Sequence, residues 1–187
     1  MNHQTLRIET NRLIMRTFQD KDIPAFAGYR SETEVAKYQS WRTPFTLEKA
    51  TQFINEVKVV QPGSPGEWYQ VALELKEDGS LIGDCAFHIF SDDPRQAEIG
   101  VTLSGCYQGK GYAIEAVTRL LNYLFGDFKL HRIQATCDAE NTASSKLLES
   151  IGMRREAHLI ENIWFKGKWG SEYMYGLLDH EWHPDKN

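Results

Sequence analysis

Gln108-Gly109-Lys110-Gly111-Tyr112-Ala113 stands between two segments of opposite periodicity. Before it, Ala97 to Leu103 reads as a strand. After it, Gly111 to Phe125 is the most amphipathic stretch of the chain, with Ala113, Ile114, Val117, Leu120, Leu121, Leu124 and Phe125 on one stripe and Glu115, Thr118, Arg119 and Asn122 opposite. Glycines in such a turn let the backbone take positive φ and approach a ligand closely. The unpaired N–H groups of the helix's first turn then favour an anion, and Lys110 adds a formal positive charge. This is the chemistry of a phosphate or diphosphate cradle. A Walker A loop does not fit, because Gly111 follows Lys110 where Ser or Thr is needed. The dinucleotide fingerprint fails as well, since Ile114 stands at its third glycine. A plain glycine-rich connector is the competing reading.

The flanks set the class of fold. Trp68 to Leu75 and Leu81 to Phe90 read as strands joined across Glu77-Asp78-Gly79-Ser80. His131 to Cys137 alternates as a strand, and Asn141 to Ile151 carries a helical stripe stopped by Gly152. Arg154 to Phe165 and Trp169 to Leu178 flank Lys166-Gly167-Lys168 as a hairpin. Toward the N-terminus, a helix starts near Asp20, and a second, capped by Thr46, runs from Leu47 to about Val60. The order is strand, two helices, three strands, helix, strand, helix, two strands, which makes a mixed α/β chain.

The chain has 187 residues, the size of a single domain over 1–187. Apolar residues make up 41%, and Lys plus Arg, 21, against Asp plus Glu, 26, gives a net charge of −5, unlike a dedicated nucleic-acid binder. Cys85, Cys106 and Cys137 form neither a CxxC pair nor an even set, so neither a metal site nor a disulfide framework is expected. The N-terminal Met1 to Thr5 has no apolar core of a signal peptide, and no segment has the length of a membrane span. These features lead to the expectation of a cytoplasmic protein with reduced thiols.

Gln108 to Ala113 resembles the Q/R-x-x-G-x-G/A signature of the GNAT superfamily of acyl-CoA-dependent N-acetyltransferases. Tyr107 to Glu115, Leu130 to Ile133, Asn141-x-x-Ser144 with Leu147-Leu148-Glu149 and Gly152-Met153, the Lys166 to Trp169 hairpin, and Glu181-Trp182 are similar, in order, to its ribosomal-protein N-terminal acetyltransferase (RimJ/RimL-like) branch. The resemblance implies a GNAT fold: a mostly antiparallel seven-stranded sheet, flanked by about four helices and splayed between its fourth and fifth strands. It implies acetyl-CoA as cosubstrate, with its diphosphate on the N–H groups of Gln108, Gly109, Lys110, Gly111, Tyr112 and Ala113. The pantetheine arm would pair with Val101 and Leu103, and Asn141 would bond one of its amides.

The implied catalytic pair is Glu98, ten positions before Gln108, as base for the acceptor ammonium, and Ser144 as proton donor to the leaving thiolate. Competing readings make Glu98 a solvated or ion-paired strand residue and Ser144 a first-turn residue bonded only to backbone. An ordered water is a further candidate for the base. Tyr38 and Trp41 fall where relatives build the acceptor wall, and they read equally as pocket or core. The expected reaction is direct attack of a primary amine within a ternary complex. A protein N-terminal α-amine is the first acceptor class and a small-molecule amine (aminoglycoside or polyamine) the second. A non-catalytic acyl-CoA-binding protein is the rival from another class. No nucleic-acid or membrane partner is implied, and the resemblance admits a homodimer.

Overall fold

The computed structural model describes residues 5–183; the first four residues, on which the reading of the N-terminus rests, and the last four lie outside the described residues. Eight strands form one sheet: β1 (Arg7–Glu9), β2 (Leu13–Arg16), β3 (Trp68–Leu75), β4 (Leu81–Ile89), β5 (Gln96–Leu103), β6 (Arg132–Asp138), β7 (Arg154–Phe165) and β8 (Lys168–Leu178). Their spatial order is β1-β2-β3-β4-β5-β6-β8-β7. Every pairing is antiparallel except β5 with β6.

The expected count of seven strands is corrected to eight. The N-terminal strand folds back on itself, because the Thr10 hydroxyl accepts the Leu13 N–H at 2.8 Å and makes a turn of Thr10 to Arg12. Among the described residues there are five α-helices: α1 (Ile23–Arg30), α2 (Thr33–Ala36), α3 (Leu47–Val57), α4 (Tyr112–Gly126) and α5 (Thr142–Ser150). The one beyond the expected four is α2, a single turn too short to carry a periodic signature. Between β7 and β8, Lys166 at φ 49° and Gly167 at φ 91° both take the left-handed conformation that a tight hairpin demands.

β3 and β4 are buried at nearly every position rather than every second one, because the sheet carries a core on each face. On one face Val117, Leu120, Leu121 and Leu124 of α4 pack on Val71, Phe87, Ile99 and Ile133. On the other, Phe26 of α1 and Ala50 and Ile54 of α3 pack over Ala72. None of the described helices is long and apolar enough to cross a membrane.

A buried ion triad ties the β2–α1 connection to the sheet. The Arg16 guanidinium meets Asp22 at 2.7 Å and Glu74 at 2.6 Å. Arg16→Met would leave two desolvated carboxylates facing each other, with only Lys21 at 2.8 Å to balance Glu74. The expected loss of stability is about 3–5 kcal/mol. Denaturant unfolding measures it, and a loss below about 1 kcal/mol would show that the triad is a solvated surface pair instead.

Candidate active site

The site begins where the sheet divides. β5 and β6 pair in parallel only over Gln96 with Arg132, Ala97 with Ile133 and Glu98 with Gln134. Beyond that point β5 runs on to Leu103 and β6 to Asp138 with no further ladder pairing between them, leaving two strand edges that face the gap. A cavity of about 370 Å³ occupies the fork, and its lining comes from both faces of the sheet. Val117, Cys137, Asn141 and Ser144 line the α4–α5 side; Arg30, Tyr38, Trp41, Trp68, Gln70 and Asp84 line the α1–α3 side. Gly100, Val101, Thr102 and Thr136 lie between them.

The loop from β5 to α4 is built as an open donor site. Gly109 has φ 72° and Gly111, the N-cap of α4, has φ 80°. The first bond of the helix runs from the Glu115 N–H to the Gly111 carbonyl at 3.1 Å, so the N–H groups of Tyr112, Ala113 and Ile114 have no helical acceptor. A Cβ built on Gly109 would meet nothing within 4 Å, which leaves the approach clear.

Gln108 departs from its expected part. Its N–H is spent on the Gly105 carbonyl at 3.2 Å, and its side chain donates to the Leu103 carbonyl at 2.9 Å. Gln108 thus braces the end of β5 and withdraws one carbonyl of Leu103 from any ligand, because a 3-10 turn at Gly105–Tyr107 precedes it.

Arg12 and Glu115 brace the same loop and were not singled out from the sequence. Arg12, in the β1–β2 turn, donates to the Lys110 carbonyl at 3.0 Å, pairs with Glu115 at 2.6 Å and lies 4.3 Å from the Tyr112 ring centre. Burial pushes the Glu115 carboxyl up, but bonds from Thr10 and Arg12 outweigh it and hold the group below its ordinary range. Nothing local marks Arg12, since about a hundred residues separate it from its partners. Free backbone donors, a clear approach over Gly109 and two nearby cations, Lys110 and Arg12, suit a diphosphate, and the neighbouring fork suits an extended arm. The residues present therefore fit acetyl-CoA.

On the α5 side, Asn141 is the N-cap, its Oδ1 accepting the Ser144 N–H at 3.1 Å. Ser144 lines the cavity, and among the described residues its hydroxyl has no hydrogen-bond partner. Ser145 turns inward instead, donating to the Asn141 carbonyl at 3.3 Å. Cys137 is only half-buried and faces the cavity, 3.6 Å from the Ser145 hydroxyl. Val101 lines the cavity, whereas Leu103 is buried in the core.

Glu98 lies at the last paired position before the fork, on the α1–α3 face, beside rather than in the cavity wall. Burial pushes its carboxyl above the ordinary value; a bond with Thr136 and the nearness of His88 pull it back, while Glu172 pushes it the same way as burial. Tyr38 and Trp41 both line the cavity. The Tyr38 hydroxyl donates to the Glu140 carbonyl at 3.2 Å across the cavity mouth. Trp41 also belongs to the core: its Nε1 donates to the Arg30 carbonyl at 2.9 Å and its ring lies 4.0 Å from the Arg30 guanidinium. Arg30, Asp84 and Gln70 escaped the sequence reading, because a charge or amide on a half-buried strand or helix looks like any solvated one.

A family model described as an acetyltransferase (GNAT) domain matches residues 12–154. The chain belongs to the GNAT acetyltransferase family. Among relatives, an uncharacterised N-acetyltransferase of Bacillus subtilis (strain 168), YnaD, is 38% identical over 95% of this chain and 100% of its own length. The [ribosomal protein uS5]-alanine N-acetyltransferase of Escherichia coli (strain K12) is 24% identical over 99% of this chain and 97% of its own. A solved GNAT-family acetyltransferase from Bacillus anthracis superposes with a TM-score of 0.82 at 36% identity, covering 94% of this chain and 99% of that one. The chain is therefore an acetyl-CoA-dependent N-acetyltransferase, and the cavity at its fork is the candidate active site.

Proposed function

We propose that this GNAT enzyme acetylates a protein N-terminal α-amine that enters from the α1–α3 face and meets acetyl-CoA held from the α4–α5 face. The observation carrying this reading is the cavity itself, which is lined from both faces where the strands part, with Ser144 on the α4–α5 side, Tyr38 and Trp41 on the α1–α3 side and the Gly100–Thr102 edge between them. Acetyl-CoA supplies the activated acyl group. Backbone N–H groups of Gly109 to Ala113 hold its diphosphate, and Val101 presents a strand edge to its arm. Glu98, made a stronger base by its burial, takes the proton of the incoming ammonium directly or through an ordered water. The unpartnered Ser144 hydroxyl gives a proton to the departing sulfur. An α-amine, with a reference pKa of about 8 against about 10.4 for lysine, asks less of that base. The resemblance to the ribosomal-protein acetyltransferase branch favours the same acceptor.

Thiol release measured with acetyl-CoA against peptides with free N-termini, polyamines and aminoglycosides tests the reading. Faster release with peptides is expected. Release only with small amines would overturn the acceptor, and coenzyme A binding with no release from any amine would leave a binding protein. Ser144→Ala is expected to lower kcat about 10- to 100-fold with little change in acetyl-CoA KM, because it removes proton transfer and leaves the cradle intact. An unchanged kcat would remove Ser144 from the chemistry.

A further inference from the structure

Cross-strand rows beside the fork face α1 and α3. Register sets Trp68, His88 and Glu98 side by side, then Gln70, Ala86 and Gly100, then Ala72, Asp84 and Thr102. The middle row is low: Ala86 carries one side-chain carbon, and a Cβ built on Gly100 would meet nothing within 4 Å. The rows on either side stand higher. Trp68 stacks on His88 at 5.3 Å on one flank, and on the other Asp84 sits beneath Tyr29 and Arg30. The result is a trough from Gln70 to the fork, and the three residues of its floor all line the cavity. At its far end two polar atoms are buried without a partner, Oε1 of Gln70 and Nε of Arg30. Arg30 is only 6% exposed, so bulk solvent does not reach that atom freely. Orphaned polar groups in a folded protein are rare and costly, and they call for whatever completes them.

Resting on the acyl-transfer reading above, we infer that the Gln70 side-chain amide binds a peptide unit of the acceptor and is the residue that selects an N-terminal peptide over a polyamine. Adjacent strands lie about 4.8 Å apart, which puts the Gln70 and Gly100 backbones roughly 10 Å apart. With the reacting amine over Gly100, about three extended residues, at about 3.3 Å each, span that distance and bring an amide unit to Gln70. An amide offers both a donor and an acceptor, and a peptide unit complements both. A polyamine offers donors alone.

The charges nearby discriminate in the same sense. Asp84 is already engaged by the Tyr29 hydroxyl and has the Arg30 guanidinium at 3.6 Å. That guanidinium is caged by Trp41 at 4.0 Å, Phe26 at 4.2 Å and Phe53 at 4.7 Å. A second ammonium at this end would meet a fixed cation and an occupied carboxylate.

The test compares kcat/KM for trialanine amide and for spermidine in the wild-type enzyme and in Gln70→Leu. The different basicity of the two acceptors enters both proteins' ratios equally and cancels when the ratios are compared. Gln70→Leu is expected to lower the peptide-to-spermidine ratio at least tenfold while its Tm holds or rises, since the substitution removes a buried amide oxygen that has no partner. Gly100→Val is the second variant: valine suits a strand and meets open space, so the protein is expected to fold and to bind coenzyme A, yet its side chain fills the trough and peptide turnover falls at least a hundredfold. An unchanged ratio in Gln70→Leu, or full peptide turnover by folded Gly100→Val, overturns this inference while the acyl-transfer reading stands. Wild-type protein that releases no thiol with any amine overturns both.

Discussion

Gly111→Val is expected to weaken acetyl-CoA binding by about 100-fold, which corresponds to about 2.7 kcal/mol. Gly111 caps α4 at φ 80° and ψ 0°, a left-handed conformation that costs an L-residue about 1–2 kcal/mol and a β-branched one more. Its added Cβ would also lie 3.3 Å from Nη2 of Arg12, the residue that braces the Lys110 carbonyl. The loop can relieve the strain only by turning its peptide planes, which misdirects the N–H groups of the helix's first turn. Calorimetry with coenzyme A reads the effect directly. Gly126→Ala is the control, because it ends the same helix without positive φ and with nothing within 4 Å of its Cβ. A Kd within threefold of wild type for folded Gly111→Val would place the diphosphate elsewhere.

Glu98→Gln is expected to lower kcat/KM for a peptide acceptor by about 10²–10⁴-fold, the range of a positioned general base. In the wild-type enzyme kcat/KM should rise with pH through a carboxyl that titrates above its ordinary value because it is buried; the variant should lack that limb and keep only the one belonging to the amine. Stability moves the other way. The folded protein holds the Glu98 proton to higher pH than the unfolded chain does, so folding loses stability as pH rises from the ordinary carboxyl value through the raised one. Glutamine never ionises, and Glu98→Gln should therefore melt higher than wild type at neutral pH. A variant less stable and less active together would mark Glu98 as a structural residue. Unaltered activity would shift the proton to water alone.

The fold was largely legible because its signals are local. The α4 stripe, the Asn141 cap, the Lys166-Gly167 turn and the strand-forming runs of β3 to β5 each lie within a dozen or so residues and reflect local period, capping or turn chemistry. The short elements were not: the break at Thr10 to Arg12 and the single turn of α2 are too brief to carry a period. At the site, the glycines of the loop and Ser144 belong to contiguous motifs that a reader of the chain can find. Gln108 belongs to the same motif, yet its N–H and side chain turn out to be committed to the end of β5, a matter of hydrogen-bond accounting that no motif states.

By itself the chain determined its class, the helix that presents bare amides to an anion and the family to which it belongs, for these depend on neighbours along the backbone. The trough of Gln70, Ala86 and Gly100, the clamp of Arg12 on Glu115 and the caged Arg30 beside Asp84 came only with folding. Strand register and helix docking join residues far apart in sequence, and neither is encoded in the spacing of any one segment.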